Sequence, residues 1–278
     1  MTNKNYKIFD DCIEVQNTNF DIRHILECGQ VFRYKKQVFG YTVYSLGQKA
    51  DIYCQKDITK IFCKDKKYFA KYFDLDTNYD KIKSELEVLG GLYEEIKYGH
   101  GIRILHQDPV EMIISFIISA NNNIPRIKQI IERICESFGT KMDDYYAFPT
   151  LAQLSKITEM DFRNMGCGYR SGYLVDTIKD LQTLDIESLS ELSTQDAKKI
   201  LLSLKGVGNK VADCILLFGF YKTDVFPTDT WIVKAYQDKY GKDLSNPIEI
   251  SKFFTNLYGA YAGYAQQYMF YAKRESKE

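Results

Sequence analysis

The segment 204–229 constrains this chain more than any other part of it. It reads Leu204-Lys205-Gly206-Val207-Gly208-Asn209-Lys210, then Val211-Ala212-Asp213-Cys214 and, further on, Phe226-Pro227-Thr228-Asp229. Gly206 and Gly208 lack a Cβ, so a tight turn is open to the backbone there and a ligand can approach it closely. Residues 196–202 carry a helical pattern, and an apolar stretch of good helix formers runs from about Asn209 to Phe218. The amides of a glycine turn that opens a helix point outward and favour an anion. The unit therefore reads as helix, hairpin, helix, with a phosphate clamp at Gly206, Gly208 and Val211. The hairpin is too short for a P-loop, and no Ser or Thr follows Lys210. A dinucleotide fingerprint needs a strand before the glycines, and a helix stands there instead.

Lys210 falls on the first turn of the second helix. A free lysine at pH 7 is a cation, about three units below its pKa, and no nucleophile. A helix N-terminus or desolvation disfavours the charged form. Asp213 and Cys214 lie three and four residues on, adjacent to it on the helix surface. One reading of Lys210 is a surface lysine paired with Asp213 or with a phosphate. Asp229 supports a second: a carboxylate beside a developing positive charge stabilises an oxocarbenium-like sugar and steers proton transfer. Asp229 also suits an N-cap, and the two roles are compatible. An amine nucleophile and a carboxylate on a phosphate-clamping scaffold suit attack at C1′ of a nucleotide. The base then departs, a Schiff base forms, and β-elimination releases the 3′ phosphate.

With 278 residues, 45% of them apolar, the chain is long enough for two or more subdomains. No uninterrupted apolar run approaches the ~20 residues of a membrane span, so no membrane association is expected. The first residues lack an apolar signal core, so export is not expected either. A net charge of zero argues against bulk electrostatic binding to nucleic acid but leaves room for a local basic patch. Seven cysteines, an odd number without Cys-x-x-Cys, fit a reducing cytoplasm and not a disulfide framework or zinc site. Beyond residue 198 only Cys214 remains, so a C-terminal four-cysteine iron–sulfur loop is excluded.

Residues 12–63 read as strands, at 12–16, 31–36, 38–46 and 51–55. A short helix capped by Asn19 or Asp21 lies between the first two and ends at Gly29, which by itself reads as a helix C-cap. From Lys66 the pattern turns helical. Asp108-Pro109 opens a nearly all-apolar helix. It runs into Asn121-Asn122-Asn123-Ile124-Pro125-Arg126, either a polar loop capping the next helix or a recognition loop able to bond base edges. Gly166-Cys167-Gly168-Tyr169-Arg170 is a second glycine turn, whose Tyr-Arg pair reads as surface or as a stacking wedge. The fold class is α+β: an antiparallel sheet domain with connecting helices over 1–106, then a mostly helical domain over 107–278. The hairpin unit takes up about 194–220.

Helix, Gly-x-Gly hairpin and helix, with Lys210 and Asp229, resemble the catalytic element of the helix-hairpin-helix DNA glycosylases. Within that superfamily, Gly-Val-Gly-Asn-Lys-Val-Ala-Asp-Cys resembles the 8-oxoguanine DNA glycosylase/AP lyases. The likeness extends from about Asp10 to Tyr271. It includes Cys28-Gly29-Gln30-Val31-Phe32-Arg33, Asp108-Pro109-Val110-Glu111 and Tyr264-Ala265-Gln266-Gln267-Tyr268-Met269-Phe270. The resemblance implies a bifunctional enzyme acting on duplex DNA that carries 8-oxoguanine opposite cytosine. Lys210 would be the nucleophile and Asp229 its carboxylate. The Gly29 carbonyl would accept the N7–H that distinguishes the lesion from guanine. Gln266 would read the base edge, Phe270 would stack on it, Cys214 would close the other face, and Pro227 would line the same site. For Gln266 and Phe270 the residues alone suggest only surface and core.

Asn121, Arg126, Tyr169 and Arg170 would hold the opposite base. Backbone carbonyls of Leu202, Leu204 and Val207 would hold a structural monovalent or calcium ion, with no catalytic cofactor. The resemblance further implies a cytoplasmic, nucleoid-associated monomer. The chain departs from relatives in two places: Trp231 stands where some have histidine, and Pro125 precedes Arg126. A glycosylase for another damaged base and a DNA-binding module without catalysis are the alternative readings.

Overall fold

Alternating β-branched and aromatic residues build the first half of the molecule, and the computed structural model, which describes residues 5–276, shows how. Six strands form one antiparallel sheet: β1 (Tyr6–Ile8), β2 (Cys12–Gln16), β3 (Tyr34–Gln37), β4 (Gly40–Ser45), β5 (Gln48–Cys54) and β6 (Ile58–Cys63). Their order is β1-β2-β6-β5-β4-β3, so β2 pairs with the distant β6. Ile13, Val15, Val43, Ala50, Ile52 and Ile61 cover one face and pack on Phe20, Ile25, Leu26, Phe69 and Phe73. Each large side chain so buried contributes roughly 1.5–3 kcal/mol.

Two strands, β1 and β6, escape the sequence reading. The first is too short to show a period. A third difference concerns 31–36, where pairing starts only at Tyr34. Val31, Phe32 and Arg33 are buried outside the sheet. The side chain of Gln30 holds this segment against the neighbouring loop, donating to Ile25 O and Arg103 O and accepting from the Leu105 amide. A buried connector with alternating apolar residues looks like a strand when only periodicity is available.

The second core is helical. Its axis is the helix Pro109–Ser119, capped by Asp108 and buried from Glu111 to Ile118. The helices Ile124–Phe138, Arg170–Leu181 and Asn209–Gly219 pack around it. Tyr79–Gly90 and Tyr93–Tyr98 follow the sheet in sequence, yet Tyr79, Ile82, Leu86, Leu92 and Ile96 join the helical core. Gly91, at φ 62°, ends the first of these in the left-handed conformation that glycine tolerates. Thr230–Tyr240, Pro247–Tyr258 and Ala262–Glu275 complete the domain. The chain is thus α+β, an antiparallel sheet followed by a mostly helical unit. Among the described residues no helix is long and apolar enough to cross a membrane.

Candidate active site

The hairpin is set by sterics. Gly206 has φ 79°, and a Cβ there would come within 2.9–3.1 Å of the Tyr173 side chain. At Gly208, the N-cap of Asn209–Gly219, a Cβ would meet nothing within 4 Å. The first glycine is required by packing; the second leaves open space beside the amides of the helix start. Thr177 fastens the turn through Oγ1 to Lys205 O, 2.9 Å.

Lys210 is the second residue of that helix, its Nζ 5.5 Å from the centre of the Phe116 ring. Asp213 is not its partner. That buried carboxylate pairs with Lys198 at 2.6 Å; burial pushes its pKa up and Lys198 pulls it back. Burial likewise pushes the Cys214 thiol up to about 11, against the nearby Lys210 ammonium, so at neutral pH it is a thiol. Asp229 caps Thr230–Tyr240, and both cap bonds, from the Trp231 and Ile232 amides at 3.0 Å, fall on Oδ1. Oδ2 takes no part in the cap.

These residues meet around one cavity of about 40 Å³. Lys210, Asp229, Gly29, Cys214, Pro227, Gln266 and Phe270 all line it. Every residue expected for the reaction and for the lesion base is thereby brought to one place from four separate segments. Cys28, Phe116, Phe218 and Gln267 line it as well, and sequence reasoning missed them. Phe116 and Phe218 look like any other core aromatic in an apolar helix, so no local signal singles them out. Gln266 is buried, 5% exposed, and its Oε1 accepts from Gln267 Nε2 at 2.8 Å, which excludes the surface reading.

That space is too narrow for a base. Phe270 narrows it. Its ring lies against Gly29, where a Cβ would sit 3.2 Å from Cε1. Gly29 follows the capped helix Ile22–Glu27 at φ 85°, so it is a helix-terminating glycine and a cavity wall together. Arg274 donates to Glu27 O and fastens the end of Ala262–Glu275 to that same helix.

Asn121, Arg126, Tyr169 and Arg170 form a second cluster at the C-terminal end of Pro109–Ser119. Arg170 is buried. Its guanidinium donates to Ala120 O twice, once at 2.8 Å through Nε, to Asn121 O at 2.9 Å and to Cys167 O at 3.3 Å. It holds the turn on which Asn121 adopts φ 50°. Tyr169 is 54% exposed and stacks on that guanidinium, 4.4 Å from ring centre to Cζ. Arg126 donates to Gly166 O, joining the two turns. At the hairpin, Leu204 O accepts the Val207 amide at 3.2 Å.

Among the described residues, Asp21, His24 and His100 bring three metal-binding atoms within 4.8 Å of one another. The Gly101 amide donates to His24 Nδ1, and Nε2 lies 3.7 Å from Asp21 Oδ2. A neutral imidazole that accepts at one nitrogen carries its proton on the other, so this group is a poor metal site.

Residues 12–113 match the family described as 8-oxoguanine DNA glycosylase, N-terminal domain. Residues 114–258 match the HhH-GPD superfamily of base excision DNA repair proteins. An N-glycosylase/DNA lyase of Arabidopsis thaliana is 35% identical over 198 residues, 65% of this chain and 54% of that protein. An N-glycosylase/DNA lyase of Saccharomyces cerevisiae is 32% identical over 246 residues, 74% of this chain and 65% of that protein. The chain thus spans less than two thirds of either. The crystal structure of a Clostridium acetobutylicum 8-oxoguanine glycosylase/lyase with double-stranded DNA containing cytosine opposite 8-oxoguanine superposes with TM-score 0.93. It is 36% identical and the match covers 98% of both chains.

Proposed function

This chain belongs to the HhH-GPD superfamily of base excision DNA repair proteins, with the N-terminal domain of the 8-oxoguanine DNA glycosylases, and from that membership we propose that it excises 8-oxoguanine from duplex DNA and then nicks the strand. One observation carries the reading: Lys210 and Asp229 line the same cavity as Gly29, Cys214, Gln266 and Phe270. The Lys210 amine attacks C1′. The C1′–N9 bond breaks, its electrons leave with the base, and the base takes a proton. The sugar ring opens to a Schiff base on Nζ. Loss of the C2′ proton then breaks the C3′–O bond and expels the 3′ phosphate. Asp229 Oδ2, outside the cap, stabilises the positive charge that develops at C1′. The reaction runs on side chains and needs no cofactor.

The cavity widens when Phe270 swings off Gly29, after which the base lies between Phe270 and Cys214 with its edge to Gln266. Gly29 O accepts the lesion's N7–H, a bond guanine cannot supply. Hairpin amides at Gly206, Gly208 and Val211 hold the phosphate, aided by an ion on the Leu202, Leu204 and Val207 carbonyls. Asn121 and Arg126 contact the opposite cytosine, Tyr169 wedges beside it, and Arg170 presents the turn. The protein works as a monomer in the cytoplasm.

Borohydride trapping tests the core of this. Wild-type protein on an 8-oxoguanine:cytosine duplex should yield a covalent adduct, and Lys210→Gln should yield none while still binding. Should the duplex stay uncut while a duplex with an alkylated base is cleaved, the substrate assignment is lost and the lysine chemistry stands. Binding without any adduct on either duplex would leave only a DNA-binding module.

A further inference from the structure

Away from the cavity, one buried carboxylate ties three parts of the molecule together. Asp74 is 5% exposed and sits at φ 53°, a conformation that few non-glycine residues adopt. Its Oδ2 accepts from Tyr79 at 2.8 Å and from Tyr221 at 2.6 Å; its Oδ1 accepts from Thr77 Oγ1 at 2.6 Å, with His106 Nε2 3.3 Å away. Tyr221, itself at φ 54°, lies 2.8 Å, hydroxyl to hydroxyl, from Tyr264. Tyr221 has one hydroxyl proton and gives it to Asp74. Tyr264 must therefore donate to Tyr221, and the chain of bonds runs one way, from Tyr264 to Tyr221 to Asp74.

The ends of this chain matter. Tyr221 follows directly on the helix that carries Lys210. Tyr264 lies in the first turn of Ala262–Glu275, the helix that carries Gln266 and Phe270. The two segments also meet through the Gly263 amide, which donates to Thr223 O at 2.7 Å. Asp74 is itself immobilised. Arg103 donates to Phe73 O, Asp74 O and Thr77 O, and its guanidinium lies 4.0 Å from the centre of the Tyr79 ring. The His106 ring stacks on Tyr221 at 3.8 Å and 17°. None of Asp74, Tyr221 and Tyr264 lines the cavity.

We propose that Asp74 is a positioning residue for base excision: through Tyr221 and Tyr264 it fixes the helix bearing Gln266 and Phe270 against the helix bearing Lys210. The proposal rests on the function given above. The groups that read the base are held relative to the nucleophile by a hydrogen-bond chain and not by packing alone. A small error of placement there is expensive in rate, because attack at C1′ needs the base seated before the amine arrives. Strand nicking at an abasic site involves no base, so it is indifferent to Gln266 and Phe270. The carboxylate is required as such, since an amide would turn an N–H toward hydroxyls that already donate.

The test is the ratio of two activities. Single-turnover excision of 8-oxoguanine and β-elimination at a preformed abasic site are measured for wild type, Tyr264→Phe and Asp74→Asn. Tyr264→Phe removes one donor and keeps the ring, so its fold is safe. It should lower excision roughly fivefold, the value of one hydrogen bond, with β-elimination within about twofold of wild type. Asp74→Asn should widen the same ratio. Parallel loss of both activities, or no change in either, overturns the proposal. If wild type shows no excision, the substrate assignment has failed and not the hydrogen-bond chain. Hydrogen–deuterium exchange over residues 262–275 then decides, and the same exchange as wild type in both variants overturns it.

Discussion

Two neighbouring regions at the C-terminal end of the helix Pro109–Ser119 are built on opposite principles. Phe116, near its C-terminal end, lines a cavity of about 40 Å³ narrowed by the Phe270 ring beside Gly29. Just beyond, Ala120 and Asn121 form a turn whose carbonyls are taken up by Arg170. Phe116, Phe218 and Phe270 meet it through apolar contacts that are non-directional and readily rearranged, so its narrow form is one packing among several. The turn is fixed by charge-assisted hydrogen bonds to a buried guanidinium, and its shape is set before DNA arrives. The difference teaches a division of labour. Lys210 and Asp229, half-buried, share their cavity with Phe270, while Asn121, Arg126 and Tyr169 stand exposed around a turn already held by Arg170.

The largest effect is expected at the cavity. Asp229→Asn keeps an acceptor for the Trp231 and Ile232 amides but removes the charge. Excision should fall about 100-fold or more, as for loss of an electrostatic stabiliser, with lesion affinity within about twofold. An equal fall in affinity, measured by titration of an uncleavable duplex, would mean that Asp229 only holds its helix. Next comes Gly29→Ala. The added Cβ meets Phe270 at 3.2 Å on a backbone at φ 85°, a strained arrangement that costs about 1–2 kcal/mol. Excision should drop roughly tenfold, accompanied by a lower Tm. A variant with wild-type excision would show that the closed contact is not on the reaction path.

The turn should respond differently. Arg170→Lys keeps the charge but loses the forked donor set that serves three carbonyls. Discrimination between cytosine and adenine opposite the lesion should weaken about tenfold, while β-elimination on a preformed abasic site stays near wild type. If elimination falls with discrimination, the turn and the cavity are one unit and the contrast fails.

The smallest effect on activity, though not on stability, belongs to Glu111 at the other end of the same helix. Burial pushes its pKa up to about 7, and nearby Arg33 pulls it back. An acid whose pKa is raised on folding holds its proton more tightly in the folded state. Ionising it therefore weakens the fold as pH climbs from about 4.5 to about 7, by at most roughly 3 kcal/mol. Glu111→Gln removes that penalty, so its Tm advantage over wild type should grow across this interval and be flat above it. His24, pushed down to about 4 by burial, acts in the opposite sense, its penalty growing as pH falls from 6.5 to 4. The difference between the two proteins cancels that contribution. A constant difference at all pH would show that Glu111 is not buried as an acid.

Much of this architecture was open to reading in the residues. Asp108, Asn123, Thr150, Thr158, Ser193, Asp229 and Asn246 each cap a helix with their own side chain. Capping works over two or three residues, so it leaves a local mark. The segment 31–36 misled because Gln30 and Val31–Arg33 are buried by a loop seventy residues away, and burial alone mimics a strand. Gly29, legible as a helix C-cap, also lines the cavity, since both ask the same of the backbone.

By itself, the sequence determined the hairpin, the helix starts and the kind of chemistry a lysine and a carboxylate can do together, because each depends on neighbours within a turn or two. Only the tertiary structure decided that Asp213 takes Lys198 and leaves Lys210 to the cavity, that Phe270 lies against Gly29, and that Tyr264 reaches Asp74 through Tyr221. Those contacts join residues far apart along the chain. They exist because two cores pack against a shared seam, and no local pattern encodes which buried groups will face each other across it.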